Sequence, residues 1–245
     1  MNIKLTTNPK LNNSFNDIKR ALKKDKIILY HGSREGLKGD IAPISRKKCD
    51  FGRGFYMGSS PEQVKGLVVE SKAPHFYTLE IDLTKIDPNK ILVLDEDLWL
   101  YTVLANRRKT PGFNESGFCK DLLHRQEEYD FIVGPIADDR MNEALGAFNE
   151  SSLTDIGLKM CLSQIDYGFQ FVAKTPKACE KIKVVSSRPI YGKEADDIRI
   201  YTQEKRTESK GVVENMRRLY RREGLYIDEL IDKISNLQME DILHD

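Results

Sequence analysis

The stretch Lys26-Ile27-Ile28-Leu29-Tyr30-His31-Gly32-Ser33 opens on a short, β-branched, continuously apolar run and closes on polar residues around a glycine. A run of that length and composition reads as a buried strand, ending at His31-Gly32-Ser33. Upstream, Leu11, Phe15, Ile18 and Leu22 recur at helical spacing, which predicts an amphipathic helix over 11–24 with Lys19, Arg20, Lys23 and Lys24 on its polar face. Downstream, Asp50-Phe51-Gly52-Arg53-Gly54-Phe55-Tyr56-Met57-Gly58 interleaves aromatics with glycines too densely for an ordinary strand. Ser60-Pro61-Glu62-Gln63 then carries the marks of a helix start, Ser as cap and Pro at the first helical position.

Further along, His75 to Leu83 alternates apolar and polar residues, as a half-buried strand does, and Ile91 to Leu94 is a second short one. Helical patterns cover 96–108 and 119–128, and Phe131-Ile132-Val133 is a strand running into Gly134-Pro135-Ile136-Ala137-Asp138-Asp139-Arg140. Helices are expected at about 140–149 and 152–164, and strands at 168–174 and 181–186. Short strands and helices mixed without strict alternation point to an α+β fold rather than a doubly wound sheet. Residues 187–206 hold no clear period and read as a connection, whereas 207–245 return to helical spacing and read as a C-terminal helical appendage to a main domain over 1–186.

The chain of 245 residues carries 39 Lys and Arg against 38 Asp and Glu, a net charge of +1, so no global excess recruits polyanions or an anionic membrane. Gly and Pro together are too few for a collagen-like or low-complexity chain. Cys49, Cys119, Cys161 and Cys179 form no C-x-x-C pair and have no His at ligand spacing, so no metal site is expected. Residues 1–10 lack an apolar signal core and no stretch is apolar enough to cross a bilayer. The expectation is a cytoplasmic protein with reduced thiols and no membrane contact, one that a needle-type secretion system could still export as an effector.

Nucleotide motifs are missing. Gly52, Gly54 and Gly58 fail the dinucleotide fingerprint by one position, Met57 standing where a glycine is required, and there is no phosphate-binding G-x-x-x-x-G-K-[ST]. Four segments nonetheless combine chemistry-bearing residues. His31-Gly32-Ser33 offers donors and acceptors at a strand end beside a glycine that lets a ligand approach, although an ordinary turn histidine fits as well. In Asp50 to Gly58, aromatics beside glycines make either a slot for a planar ring or a core hairpin. Gln170 sits among aromatics in Tyr167-Gly168-Phe169-Gln170-Phe171-Val172 and must pair with protein or meet a ligand. Asp138, Asp139 and Arg140 follow a strand, where a helix cap is the plainer explanation.

Taken in order, L-Y-H-G-S, D-F-G-R-G-F-Y, Y-D-F-I-V-G-P-I-A-D-D-R and Y-G-F-Q-F-V resemble the DUF3990 family of bacterial ADP-ribosyltransferase-like proteins, over roughly residues 26–186. The resemblance implies a split, mostly antiparallel β-sandwich with flanking helices around a cleft for NAD. It further implies that His31, Tyr56 and Gln170 take the family's three strand-borne positions, commonly His, Tyr and Glu. By that analogy NAD is the substrate, His31 meets a ribose hydroxyl, the Gly32 backbone grips the nicotinamide carboxamide and Tyr56 stacks on its ring. Ser33, Gly54 and Phe55 would line the site, and Arg53 and Arg140 would reach the pyrophosphate.

The implied activity is transfer of a single ADP-ribose to a macromolecular acceptor, protein favoured over nucleic acid, in a toxin or effector that an antitoxin or other inhibitory protein could restrain. A general base would come from Asp138, Asp139 or Glu80, because a Gln can accept a hydrogen bond but cannot take a proton. On that view Gln170→Glu should raise NAD hydrolysis. Two alternatives stand beside it: an NAD-dependent RNA 2′-phosphotransferase, and a non-catalytic module that binds NAD or a partner. The cluster Arg217-Arg218-Leu219-Tyr220-Arg221-Arg222 would serve nucleic acid or simply form a solvated helix face.

Overall fold

The computed structural model describes residues 11–107, 110–137, 141–163, 168–208 and 211–235. Seven strands form one mostly antiparallel sheet: β1 (Lys26–Ser33), β2 (Phe55–Gly58), β3 (His75–Asp82), β4 (Ile91–Val93), β5 (Phe131–Pro135), β6 (Phe169–Ala173) and β7 (Ile182–Pro189), in the order β4-β5-β6-β2-β1-β3-β7. Only β4 and β5 run parallel among the paired strands. With the helices outside the sheet this is an α+β fold.

The sheet has two halves. β1 and β3 pair along their whole length, as do β5 and β6 along theirs, but β1 meets β2 at the single register pair Tyr30↔Gly58. On one face, Ile27, Leu29, Leu79 and Ile81 of one half share an apolar core with Phe131, Val133 and Phe171 of the other. Ile18 of helix α1 (Leu11–Ala21) is fully buried in that core. The opposite face is covered separately on each half. Helix α2 (Pro61–Gly66), started by Ser60 Oγ accepting from the Gln63 N–H at 3.3 Å, lays Val64 near Phe76 on the β1–β3–β7 half.

The β4–β5–β6–β2 half is capped by α3 (Glu96–Arg107), α4 (Pro111–Glu115), α5 (Gly117–Gln126), α6 (Met141–Asn149) and α7 (Asp155–Ser163). Strands β5 and β6 are therefore buried on both faces, which explains their unbroken apolar runs and why Gln170, in the middle of β6, is buried too. A short helix, α8 (Pro176–Cys179), leads into β7, whose exposed polar residues suit a sheet edge.

Two boundaries differ from the sequence reading. Residues expected to be a connection complete β7 and then form helix α9 (Gly192–Glu208). Its period is invisible because, among the residues whose burial is described, only Ala195 and Ile198 are buried, against Val64, Val68 and Phe76, while Glu194 is held by Lys65 at 2.9 Å and by Arg188. The expected appendage, α10 (Val212–Tyr220) and α11 (Ile227–Ser235), is built into the main core. Val213, Met216, Leu230 and Ile234 lie in one cluster with Trp99, Leu122 and Phe148. Asp155 and Leu225 clamp the junction, each backbone N–H donating to an oxygen of the other residue at 2.9 and 2.7 Å.

Candidate active site between the two halves of the sheet

Antiparallel strands alternate residues that exchange backbone bonds with one neighbour and residues that turn theirs to the other side. The Leu83 N–H donates to the Asp25 carbonyl, just beyond the strands, so Ile27, Leu29 and His31 exchange bonds with β3, whereas Ile28, Tyr30 and Gly32 turn theirs toward β2. In the same way the Ser59 N–H bonds the Phe169 carbonyl, which directs the backbone groups of Tyr56 and Gly58 toward β1. Tyr30 and Gly58 meet, and beyond them the strands part. Gly32 and Tyr56 therefore present backbone N–H and C=O groups into the gap between the halves.

His31 bridges that gap. Its Nδ1 lies 2.7 Å from the Tyr56 carbonyl oxygen. A carbonyl can only accept, so Nδ1 carries the proton and Nε2 of the neutral ring is an acceptor. Burial holds the imidazole pKa below its ordinary value, against the opposing pull of the Tyr56 carbonyl, and favours the neutral form. Phe55 stacks on the ring at 4.3 Å and Tyr77 approaches at 6.1 Å, which fixes its plane.

Tyr56 and Gln170 lie on the opposite face of the sheet from His31, on neighbouring strands two register positions apart, Tyr56 opposite Val172 and Gly58 opposite Gln170. The Tyr56 hydroxyl is committed: it donates to the Gly52 carbonyl at 2.7 Å and accepts from the Phe51 N–H at 2.9 Å. Burial, and then the Asp50 carboxylate, push its pKa well above the ordinary range, so the phenol stays protonated. Gly52 makes this turn at φ +73°, where a Cβ would also strike Asn106 Oδ1 at 2.6 Å.

Gln170 is 6% exposed. Its Nε2 donates to Asp50 Oδ2 at 3.1 Å and to the Pro135 carbonyl at 3.3 Å. Asp50 is in turn held by Arg107, whose Nε and Nη2 lie 2.8 and 2.7 Å from Oδ1, and Arg107 Nη2 also donates to the Ala137 carbonyl at 2.8 Å. No described residue donates to Gln170 Oε1. Asp50 and Arg107 are thus site residues to which the sequence reading assigned no role. Asp50 stood in a quoted motif, but Arg107, 57 positions away inside a helix, carried no signal.

The remaining sequence candidates fall differently. Gly32 is pressed under α2, where a Cβ would meet the Val64 carbonyl at 2.8 Å, so only its backbone groups face the gap. Ser33 pairs with His75 at the end of β1 and is half-buried. Gly54 is not open to a ligand through its backbone: its N–H donates to Ser45 Oγ at 3.1 Å and its carbonyl accepts from the Ser45 N–H at 3.2 Å. Phe55 is a core residue behind His31 rather than a cleft wall. Arg53 is exposed on the loop preceding β2. Glu80 pairs with Lys26 at 3.0 Å and stands opposite Ile28, toward the end of β1 away from His31, which separates it from the gap. Asp138, Asp139 and Arg140 lie outside the described residues.

Away from the gap, Arg217 donates to the Ser152 carbonyl at 3.0 Å and to Glu214 at 3.1 Å, which anchors that basic cluster to the protein itself. The four cysteines are free thiols. Among the described residues no group of three or more His, Cys, Asp or Glu could hold a metal ion, and no helix is long and apolar enough to cross a membrane.

Compared with known proteins, residues 27–184 match a family model described as "Protein of unknown function (DUF3990)". The match opens in β1 and closes early in β7, so it takes in β2 to β6 whole and every residue of the gap. No curated protein and no solved structure matches the chain.

Proposed function

The chain belongs to the DUF3990 family, and from that footing we propose that it is a mono-ADP-ribosyltransferase that cleaves NAD and passes one ADP-ribose to a macromolecular acceptor. The observation that carries this reading is the parting of β1 and β2 beyond Tyr30↔Gly58, which turns the backbone N–H and C=O of Gly32 and the N–H of Tyr56 toward a gap that a neutral His31 bridges to the Tyr56 carbonyl.

The chemistry follows from those groups. The bond between the anomeric carbon and the nicotinamide nitrogen breaks, its electrons leave with nicotinamide, and an acceptor oxygen or nitrogen attacks while losing a proton. The transition state is oxocarbenium-like, so a site works by holding the ribose rather than by supplying a covalent nucleophile. The Gly32 N–H and C=O match the carbonyl and amide of a carboxamide. His31 Nε2 accepts from one ribose hydroxyl and Gln170 Oε1 from another. The Tyr56 ring, its hydroxyl already satisfied, offers a π face to the cationic nicotinamide. A carboxamide at position 170 cannot deprotonate an acceptor, so the reading is single transfer, with protein favoured as acceptor and a toxin or effector role.

The test is incubation of the purified chain, His31→Ala and Tyr56→Ala with NAD and a total cell lysate, following free nicotinamide and labelled ADP-ribose on protein and on nucleic acid. Nicotinamide release lost in both soluble variants, with label on one fraction, is the expected result. Equal release by all three proteins refutes the site. Acceptance of 2′-phosphorylated RNA would instead identify a phosphotransferase, and NAD binding without release a binding module.

A further inference from the structure

We propose that the carboxylate of this site stands at position 50 instead of on β6, and that Asp50 is a positioning residue that holds the Gln170 amide with its oxygen toward the ligand. The ligand named here rests on the NAD reading above; the geometry of the pair does not.

A side-chain amide can turn over, exchanging its oxygen and its nitrogen, unless its neighbours distinguish the two. At Gln170 they do. Both Nε2 contacts, Asp50 Oδ2 and the Pro135 carbonyl, are acceptors that carry no proton to give. The flipped amide would set Oε1 against both of them, oxygen against oxygen, and both would lose the Gln170 donor, although the Pro135 carbonyl keeps the Trp99 indole N–H at 2.9 Å. Asp50 cannot swing away, because Arg107 grips its other oxygen and is itself tied to the Ala137 carbonyl. Glycines occupy the register positions on both sides of Gln170, Gly58 on β2 and Gly134 on β5, so no neighbouring side chain on those strands supplies a donor to Oε1. The result is a buried acceptor of fixed direction, polarised by the carboxylate behind it. That suits a hydroxyl, and it rejects an acceptor atom.

This changes what Glu at position 170 would do. Beside Asp50 at about the present 3.1 Å spacing, two carboxylates could not both stay ionised, and one would hold a proton. Gln170→Glu alone therefore adds no second charge, contrary to the expectation from sequence. Asp50→Asn fails differently, since its amide can donate to Gln170 Oε1 and the orientation is lost. The exchange of both, Asp50→Asn with Gln170→Glu, restores the pattern: the amide then at position 50 would accept from Arg107 and donate to the carboxylate at position 170.

The experiment compares wild type, both single variants and the exchange variant in ligand-free thermal unfolding from pH 5 to 8 and in nicotinamide release from NAD. In unfolding, Gln170→Glu should lose stability as pH rises, because the folded pair retains a proton that the unfolded chain releases. The exchange variant should return to the wild-type profile. In turnover, each single change should lower release about tenfold, the worth of one hydrogen bond, and the exchange should recover it. Gln170→Glu with the wild-type pH profile, or an exchange variant no better than the worse single variant, overturns the inference. A wild-type chain inert toward NAD overturns the NAD reading alone, and the unfolding profiles then decide the Asp50–Gln170 pair.

Discussion

Arg107→Met isolates the ion pair on which the site geometry depends. The two side chains are 10% and 12% exposed, with the guanidinium 2.7 Å from Asp50 Oδ1. Removing one partner of a buried pair costs about 3–5 kcal/mol. The lower end applies here, because Asp50 Oδ2 keeps the Gln170 amide as a donor. For a chain of this size, about 3 kcal/mol corresponds to a melting temperature lower by about 6–12 °C. The cause predicts a pH signature. Loss of the guanidinium raises the folded pKa of the buried carboxylate, so the deficit is full at neutral pH and shrinks as acid protonates the group. Urea and thermal unfolding at pH 7.5 and pH 5 would read both. Adding Asp50→Asn to Arg107→Met should recover more than half of the loss, since the buried charge is gone. A deficit under about 1 kcal/mol, or one indifferent to pH and to the second change, would refute the reasoning and show the pair to be a solvated surface contact.

Three further outcomes follow from the same geometry. His31 is held below its ordinary pKa of 6.5 by burial, so the folded state binds fewer protons than the unfolded. Stability should therefore fall as pH drops from about 6.5 through the folded pKa, and His31→Gln should flatten that part of the unfolding profile. Tyr56→Phe strips the partner from the Phe51 N–H and the Gly52 carbonyl and should cost about 1–3 kcal/mol in urea unfolding. NAD affinity by titration calorimetry should suffer less in that variant than in Tyr56→Ala, because the ring remains. Glu194 is lowered to about 2 by its bonds to Arg188 and Lys65, so its contribution is present above its ordinary 4.5 and is lost as pH falls toward about 2. Being partly solvated, the pair contributes about 1 kcal/mol or less, and Glu194→Gln should remove it without touching NAD turnover.

Much of this architecture was legible locally. The Ser60-Pro61 start of α2, the alternation of β3 and the apolar runs of β5 and β6 each reflect a physical demand made within a few residues: a cap, a one-sided burial, a two-sided burial. α9 was not legible, because a helix held through the small Ala195 and the single Ile198 needs no apolar stripe, and ion pairs to Lys65, Arg188 and Glu70 do part of the holding. The helical spacing of α10 and α11 was plain, but a stripe does not say what it packs against, and here it completes the core around Trp99 and Phe148.

The site divides along the same line. His31, Tyr56 and Gln170 could be singled out before any folding, because their types and order sit in recognisable local wording. What each side chain has left to offer came from segments that meet only in the folded chain. Folding matched the His31 imidazole to the Tyr56 carbonyl, spent the Tyr56 hydroxyl on its own loop, moved Glu80 away and set Asp50 and Arg107 behind Gln170. The pairs that bind His31 and Gln170 lie 25 and 120 residues apart in sequence yet within hydrogen-bond reach, and the direction of a proton or an amide is fixed by the partner, not by the residue that bears it.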